Sequence, residues 1–463
     1  MADAILMTGA YFRLPDYPLR EELRARILDA FLGGIERLAG PACRAAVAVD
    51  GLSCLHRHFP PEKIRLLEAH LMRTLRDDLY YWSYRVGADA LGLADPFYID
   101  HLVVFRIHYP FLVARGAGRV APPPILWGER MRLALSALRH WRALGRRLGE
   151  HRRRARTQQQ GAFDPAAYHG TIPAPARAHG PHIDTWYGHS YDGVNLWLSI
   201  DGVNEDNTVI LYPDMFGRAP AFDPASMYIA PGADLSKPHK IDLAPGDLLV
   251  FNPEMLHGTQ VNISEHTRVA LTTRVNPREP RFGPEAPFHM EHWYASVDVR
   301  RRRFSAVRWF PASECRGTAS VAPRAPYAGN KTVRLKVDRR IDSGAPSPVC
   351  RADALRSGEK MAVDFLDAEL VLRREGVDVR AFTRRCPHLG VDLADGYHDD
   401  GQLFCPGHGI AFSWADGRSK CEAFSLAQLA AFERNGMIYV DAGARIPSGT
   451  PCQGGVATAN GTW

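Results

Sequence analysis

The sequence predicts an α+β, mainly β protein of two units: a helical start leading into a double-stranded β-helix (jelly-roll) core, then a small all-β unit. Three observations predict it. Apolar residues recur at helical spacing early in the chain, as at Ile64, Leu67, Leu71 and Leu75 within Pro61–Val86. From Ala178 to Pro277 the texture changes to short apolar strands separated by turn signals. A stretch rich in Ala, Pro and Gly at Arg316–Asn330 then precedes a second run of short strands. The 463 residues exceed the usual ~100–200 of one domain, so a division is expected.

Taken in order, residues 1–315 form the first unit, with its β core at about 102–277. Its strands are expected at Leu102–Tyr109, Gly193–Ile200, Thr208–Tyr212, Asp247–Phe251 and Arg268–Val275, with Pro245-Gly246-Asp247 a tight turn feeding the fourth. An Arg-rich helical insert at 122–161 has one apolar face through Leu138, Trp141, Leu144 and Leu148 and reads as a solvated helix. Residues 316–330 are the linker, 331–442 the second unit and 443–463 a flexible tail.

Composition excludes several classes. A 46% apolar and 23% charged chain is neither disordered nor fibrous. The net charge of +6, from 57 basic and 51 acidic residues, is too mild to argue for nucleic acid. No apolar run approaches the ~18 residues that span a bilayer, and the N-terminal Met-Ala-Asp-Ala-Ile-Leu-Met lacks a secretory layout, so a cytoplasmic protein without membrane contact is expected. Eight cysteines are too sparse for a disulfide framework, and those set beside histidines become the informative ones.

Two are so placed: Cys386-Pro-His388 and Cys405-Pro-Gly-His408, with sixteen residues between the arms. Zinc also accepts two Cys and two His, but zinc fingers usually present their cysteines together. Here each arm offers one thiolate and one imidazole, as two loops clasping a two-iron cluster would. With Phe404-Cys-Pro-Gly-His-Gly and Phe412-Ser-Trp-Ala-Asp-Gly, the stretch Lys331–Ala442 resembles the Rieske [2Fe-2S] domain. That resemblance implies cluster ligation by Cys386, His388, Cys405 and His408. The respiratory-chain version carries an extra Cys in each loop; Val391 and Gly407 stand at the comparable places, which points to the ferredoxin or oxygenase type. Cys421 lies outside the motif and reads as a buried thiol.

A second constellation opens the first β run. His182-Ile-Asp184 is one of three H-x-[DE] matches; the others are His289-Met-Glu291 and His398-Asp-Asp400. Only the first is followed by a strand ending at Phe251, then His257, then Arg268 opening another strand. Two imidazoles and one carboxylate on one face of an iron leave room for oxygen and a bidentate 2-oxo acid. On a strand, residues i and i+2 share a face, and an inward Arg can pair with the far carboxylate of the oxo acid. Residues Leu102–Val275 are similar to the phytanoyl-CoA dioxygenase branch of the iron(II)/2-oxoglutarate oxygenases, including Leu243-Ala-Pro-Gly-Asp-Leu-Leu-Val-Phe before the distal histidine. The resemblance implies that His182, Asp184 and His257 hold Fe(2+), that Arg268 binds 2-oxoglutarate, and that Thr259 and Trp197 lie beside it. Arg274 is the rival clamp; Trp186, Tyr187, His189 and Asn195 are candidates to line the pocket. Asn207-Thr208 and Pro213-Asp-Met-Phe216 depart from the family pattern, so substrate class does not carry over.

The expected function is a non-haem iron oxygenase that hydroxylates, desaturates or cyclises a small molecule, with O2 and 2-oxoglutarate. The fused Rieske-like unit would return its iron to iron(II), fed by an external reductase or ferredoxin. Two alternatives remain open: a Rieske-driven oxygenase without an oxo acid, and a redox sensor or electron carrier with an inactive first unit.

Overall fold

A computed structural model of the chain describes residues 1–114, 178–282, 293–310 and 332–446, apart from 219, 223–228, 231, 305–306, 309, 343 and 389. The insert at 122–161, the linker at 316–330 and the His289–Glu291 pair lie outside the described residues.

The strands of the first unit are β1 (Phe12–Leu14), β2 (Tyr98–Asp100), β3 (Val104–His108), β4 (Val194–Asp201), β5 (Val209–Leu211), β6 (His239–Lys240), β7 (Leu248–Phe251), β8 (His257–Thr259), β9 (Arg268–Asn276), β10 (Trp293–Ala295) and β11 (Val307–Arg308). They form a large antiparallel sheet in the order β1-β7-β4-β9-β2-β10-β11, with β3 also on β9, and a three-stranded sheet β6-β5-β8. Alternation along the large sheet assigns its two faces. Leu196, Leu198, Val250, Val269, Leu271, Phe105 and Ile107 point outward into one apolar core with Ile27, Phe31 and Ile35 of the helix Arg20–Ala39 and Leu67, Leu71, Leu75 and Leu79 of the helix Ile64–Arg85. Each such side chain contributes about 1.5–3 kcal/mol by leaving water. That core fixes the sheet as a rigid floor.

The inward face packs on the small sheet: Trp197, Leu249, Phe251 and Ala270 meet Val209 and Leu211. Register sets what else lies there. Asn195 pairs with Arg274 and Trp197 with Thr272 across β4 and β9, while Arg106 pairs with Ala270 and His108 with Arg268 across β3 and β9. Directly opposed residues share a face, so this row of polar side chains points between the sheets.

The second unit comprises β12 (Val333–Lys336), β13 (Ser347–Arg351), β14 (Lys360–Asp364), β15 (Glu369–Glu375), β16 (Asp378–Thr383), β17 (Gln402–Phe404), β18 (Ala411–Ser413), β19 (Gln428–Arg434) and β20 (Met437–Ile446). Seven of them form one sheet, β12-β14-β15-β16-β19-β20-β13, and β17 and β18 form a hairpin beside it. The molecule is thus a mixed helix and sheet structure with a β-rich C-terminal unit. One boundary is corrected: β20 runs through Ile446, past Gly443 where a tail was expected to begin. The bulge lies on β20: Ala430 pairs with Asp441 but Leu429 and Gln428 pair with Arg445 and Ile446, so pairing resumes beyond the weak strand formers Ala442-Gly443-Ala444. Among the described residues no helix is long and apolar enough to cross a membrane.

Candidate metal site and cluster site

His182, Asp184 and His257 come together at the open end of the small sheet. His182 and His257 form a backbone bridge, each N–H donating to the other's carbonyl at 2.8 and 2.9 Å. Asp184 is not on a strand with His182, as the i, i+2 spacing suggested. It opens a 3-10 turn, Asp184–Tyr187, whose entry is fixed by the Asp184 N–H donating to Pro253 O at 2.9 Å. The three side chains still converge: one ligand atom from each lies within 4.8 Å of the others. Nε2 of His182 and of His257 stand 3.7 and 3.8 Å from Asp184 Oδ1.

Hydrogen bonds orient all three. His182 Nδ1 pairs with Gly180 O at 2.7 Å and His257 Nδ1 with Met255 O at 2.8 Å, so Nδ1 is the protonated nitrogen and Nε2 is left as a lone-pair donor. Burial, then the neighbouring His257, pushes His182 down to about 3, and burial also lowers His257. Both rings are therefore neutral, the form that binds metal. Burial alone would raise the Asp184 carboxyl, but Arg274 and then His257 hold it well below its ordinary value. Its Oδ2 accepts from Asn195 Nδ2 at 2.7 Å and pairs with Arg274 at 3.1 Å. Oδ1 is left facing the histidines. This donor set fits a divalent iron with three protein ligands on one face.

The pocket beside the triad is lined by Trp197, Thr259, Val209, Phe251, Asn195 and Arg106, among others. Thr259 and Trp197, expected beside the oxo acid, are both among the lining residues. Arg268 does not line the pocket. It is buried on the same inward face of β9, where one terminal nitrogen donates to Asn207 O at 2.5 Å and Nε has no partner. No carboxylate pairs with it among the described residues, and burial, then Arg106, pulls its guanidinium down to about 9. A buried cation without a counter-charge is costly, and an entering carboxylate would relieve it. Arg274, the rival clamp, does line the pocket and is engaged there by Asp184 and, at 3.5 Å, by Asp100. Trp186 stacks on Phe222 at 4.9 Å, and the Tyr187 side chain lies outside the described residues.

Arg106 lines the pocket, as do His179, Thr272 and Thr273, and none of these was singled out from the sequence. The terminal nitrogen of Arg106 lies 3.1 Å from His179 Nε2. The signal was present: Arg106 and His108 alternate with Phe105 and Ile107, marking one polar face on an apolar strand.

In the second unit the two arms are built alike. Cys386 N–H donates to Val391 O and Gly390 N–H to Cys386 O, at 3.0 and 2.7 Å; Cys405 N–H donates to Ile410 O and Gly409 N–H to Cys405 O, at 2.8 and 3.0 Å. Gly390 and Gly409 occupy the same place in each loop with φ of 70° and 68°. Both cysteines are buried, and the rings of His388 and His408 lie 4.9 Å apart. Neither ring nitrogen of His388 has a hydrogen-bond partner, although both are buried. Hydrogen bonding with Cys386, against burial, and N–H groups of His408 and Gly407 hold the Cys405 thiol below its ordinary value. Orphaned imidazole nitrogens and an anion-ready thiol fit a cluster held by two Cys and two His. A Cβ at Gly407 would lie 3.1 Å from Val391 Cγ2, so the two positions that carry cysteines in the respiratory type face each other here. Cys421 is buried, as expected, and His398 belongs to a network with Arg373, which bridges to Asp400.

Gly409→Ala is expected to destabilise the second loop by roughly 1–2 kcal/mol through positive φ alone. A Cβ there would also stand 2.1 Å from Ile210 Cδ1. Thermal unfolding and cluster content per chain check this; a variant with unchanged melting and full cluster would refute it.

Residues 345–432 match the family model described as Rieske [2Fe-2S] domain. The chain is 29% identical over 106 residues to apoptosis-inducing factor 3 of Homo sapiens and 28% over 101 residues to that of Mus musculus, which is 21% and 20% of this chain. It spans only 17% of the length of either relative. Among solved structures it is similar to the ferredoxin of carbazole 1,9a-dioxygenase from Nocardioides aromaticivorans, at 24% identity and TM-score 0.20 over 21% of this chain and 97% of that one. The Sphingomonas yanoikuyae ferredoxin gives 24% and 0.20 over 21% and 98%. The family match, together with the paired loops, identifies residues 345–432 as a Rieske [2Fe-2S] domain.

Proposed function

We propose that the chain is a non-haem iron(II)/2-oxoglutarate-dependent oxygenase acting on a small molecule, its first unit a jelly-roll core and its Rieske domain an electron source for the iron. The observation that carries this reading is the convergence of His182, Asp184 and His257 beside a pocket that shares its inward face with a buried, uncompensated Arg268. These three side chains would hold iron(II), which would supply the capacity to bind oxygen and a 2-oxo acid together. Asn195 and Arg274 hold Asp184 to one rotamer so that a single oxygen faces the metal. Thr259 offers a hydroxyl on the same strand as His257, two residues on. Trp197 and Phe251 add apolar surface to the pocket wall. Arg268, with Arg106 nearby, takes the far carboxylate of 2-oxoglutarate in a charge-assisted pair.

The test is succinate formation by cluster-loaded protein given iron(II), 2-oxoglutarate and oxygen. Arg268→Ala should raise the 2-oxoglutarate requirement ten- to hundredfold, as expected from a lost pair of roughly 1.5–3 kcal/mol. Normal 2-oxoglutarate binding by this variant would overturn the clamp. A second reading, a Rieske-driven oxygenase without an oxo acid, is favoured by the close seating of the cluster loops on the first unit. It predicts product without succinate.

A further inference from the structure

The Rieske loops rest on the outer side of the pocket wall. That wall is the small sheet: His257 and Thr259 on β8 and Val209 on β5 face the pocket, and Ile210, next to Val209 and opposite Gly258, faces away toward Gly409 of the second cluster loop. Val261 N–H donates to His408 O at 3.4 Å. Val261 and Ala178 of the first unit share one apolar cluster with Cys386, Cys405 and Phe424. Phe111 lays its ring 5.3 Å from that of His388 and 4.8 Å from that of Phe424. Lys420 closes the rim on Glu205 at 2.5 Å and on Asp206 at 3.0 Å.

One short stretch of chain, β8 and the two residues after it, therefore joins the two sites. His257 holds the metal side, and four residues on Val261 touches a cluster ligand, at most ~14 Å along an extended chain. We propose that electrons enter the pocket metal from the cluster of the same chain across the His408–Val261 contact. This rests on the reading that His182, Asp184 and His257 hold a redox-active iron. The contact passes one electron from the reduced cluster, which becomes oxidised, to the ferric metal, which becomes ferrous. A one-electron donor of the ferredoxin or flavin-reductase class reduces the cluster again. A route through one covalent strand and one hydrogen bond couples better than a jump across solvent, because tunnelling decays exponentially with distance.

The experiment uses the full chain with cobalt(II) or, as the diamagnetic control, zinc(II) at the triad. Cobalt(II) should speed spin relaxation of the reduced cluster's electron paramagnetic resonance signal, and zinc(II) should not. Phe111→Asp combined with Lys420→Glu places charge at the aromatic anchor and reverses the rim pair, so it should lower the docked population by roughly tenfold or more and remove the enhancement. Bound cobalt(II) without enhancement in the wild type would overturn the route, whereas failure to bind cobalt(II) at all would overturn the underlying metal reading. Should the double variant not fold, a mixture decides. Pre-reduced His257→Ala chains, exposed to oxygen and 2-oxoglutarate, should reoxidise no faster when iron-loaded Cys386→Ser chains are added. Faster reoxidation would show transfer between chains and refute the proposal.

Discussion

Changing His257 to Ala is expected to abolish metal binding at the pocket while leaving the Rieske spectrum intact. The His257 backbone, not its ring, makes the bridge to His182, so the local fold survives loss of the imidazole. What is lost is one of three donors converging within 4.8 Å, and the remaining His and Asp hold a divalent ion no better than ordinary surface pairs do. Asp184→Ala should do the same and in addition leave Arg274 with Asp100 alone, at 3.5 Å, in place of the nearer Asp184 at 3.1 Å. Asn195→Ala tests orientation rather than ligation. It removes the 2.7 Å hydrogen bond to Asp184 Oδ2 and should weaken metal affinity by roughly 10–100-fold without abolishing it. Anaerobic titration with iron(II), followed by metal analysis and with cluster absorbance as the internal control, separates the two. Stoichiometric pocket metal in the His257→Ala chain would sink the assignment.

Those outcomes bear on how far the sequence could be read. The cluster site was legible because its ligands sit in two short loops, and the spacing of Cys386, His388, Cys405 and His408 is itself the geometry. His182, Asp184 and His257 were legible as residues but not as backbone: the turn at Asp184–Tyr187 places the carboxylate, which strand alternation did not foresee. Arg106 escaped because its place depends on β3 pairing with β9, whose partner residues lie far along the chain. The seating of the Rieske loops on β5 was invisible for the same reason. Ile210, Val261 and Phe111 read as ordinary apolar residues until the contact with Gly409, His408 and His388 is seen. Local chemistry shows in local spacing, and contacts between distant segments do not.

Cys386→Ser should remove the cluster without removing the first rounds of succinate formation. The serine leaves an imperfect ligand set, while the sheet core through Leu355, Met361, Val363, Leu372, Ala381 and Ile438 lies apart from the cluster loops and holds the domain. Converting 2-oxoglutarate to succinate and carbon dioxide supplies two electrons per oxygen molecule, and the substrate supplies the other two in a hydroxylation. The balanced cycle therefore leaves no place for a one-electron carrier, and the Rieske domain gains its use only when a cycle ends with the metal oxidised. On that argument the variant starts at near-normal rate with 2-oxoglutarate, stops after fewer turnovers than the wild type, and recovers with ascorbate. If oxygen chemistry instead runs on electrons delivered through His408, the variant gives nothing from the first turnover, ascorbate or not, and withholding 2-oxoglutarate from the wild type changes nothing. Succinate per chain, counted over time in four reactions, with and without ascorbate for each protein, distinguishes the two. A wild-type chain that forms product from oxygen and reduced cluster alone, with no succinate, would overturn the 2-oxoglutarate mechanism and leave Arg268 a structural cation.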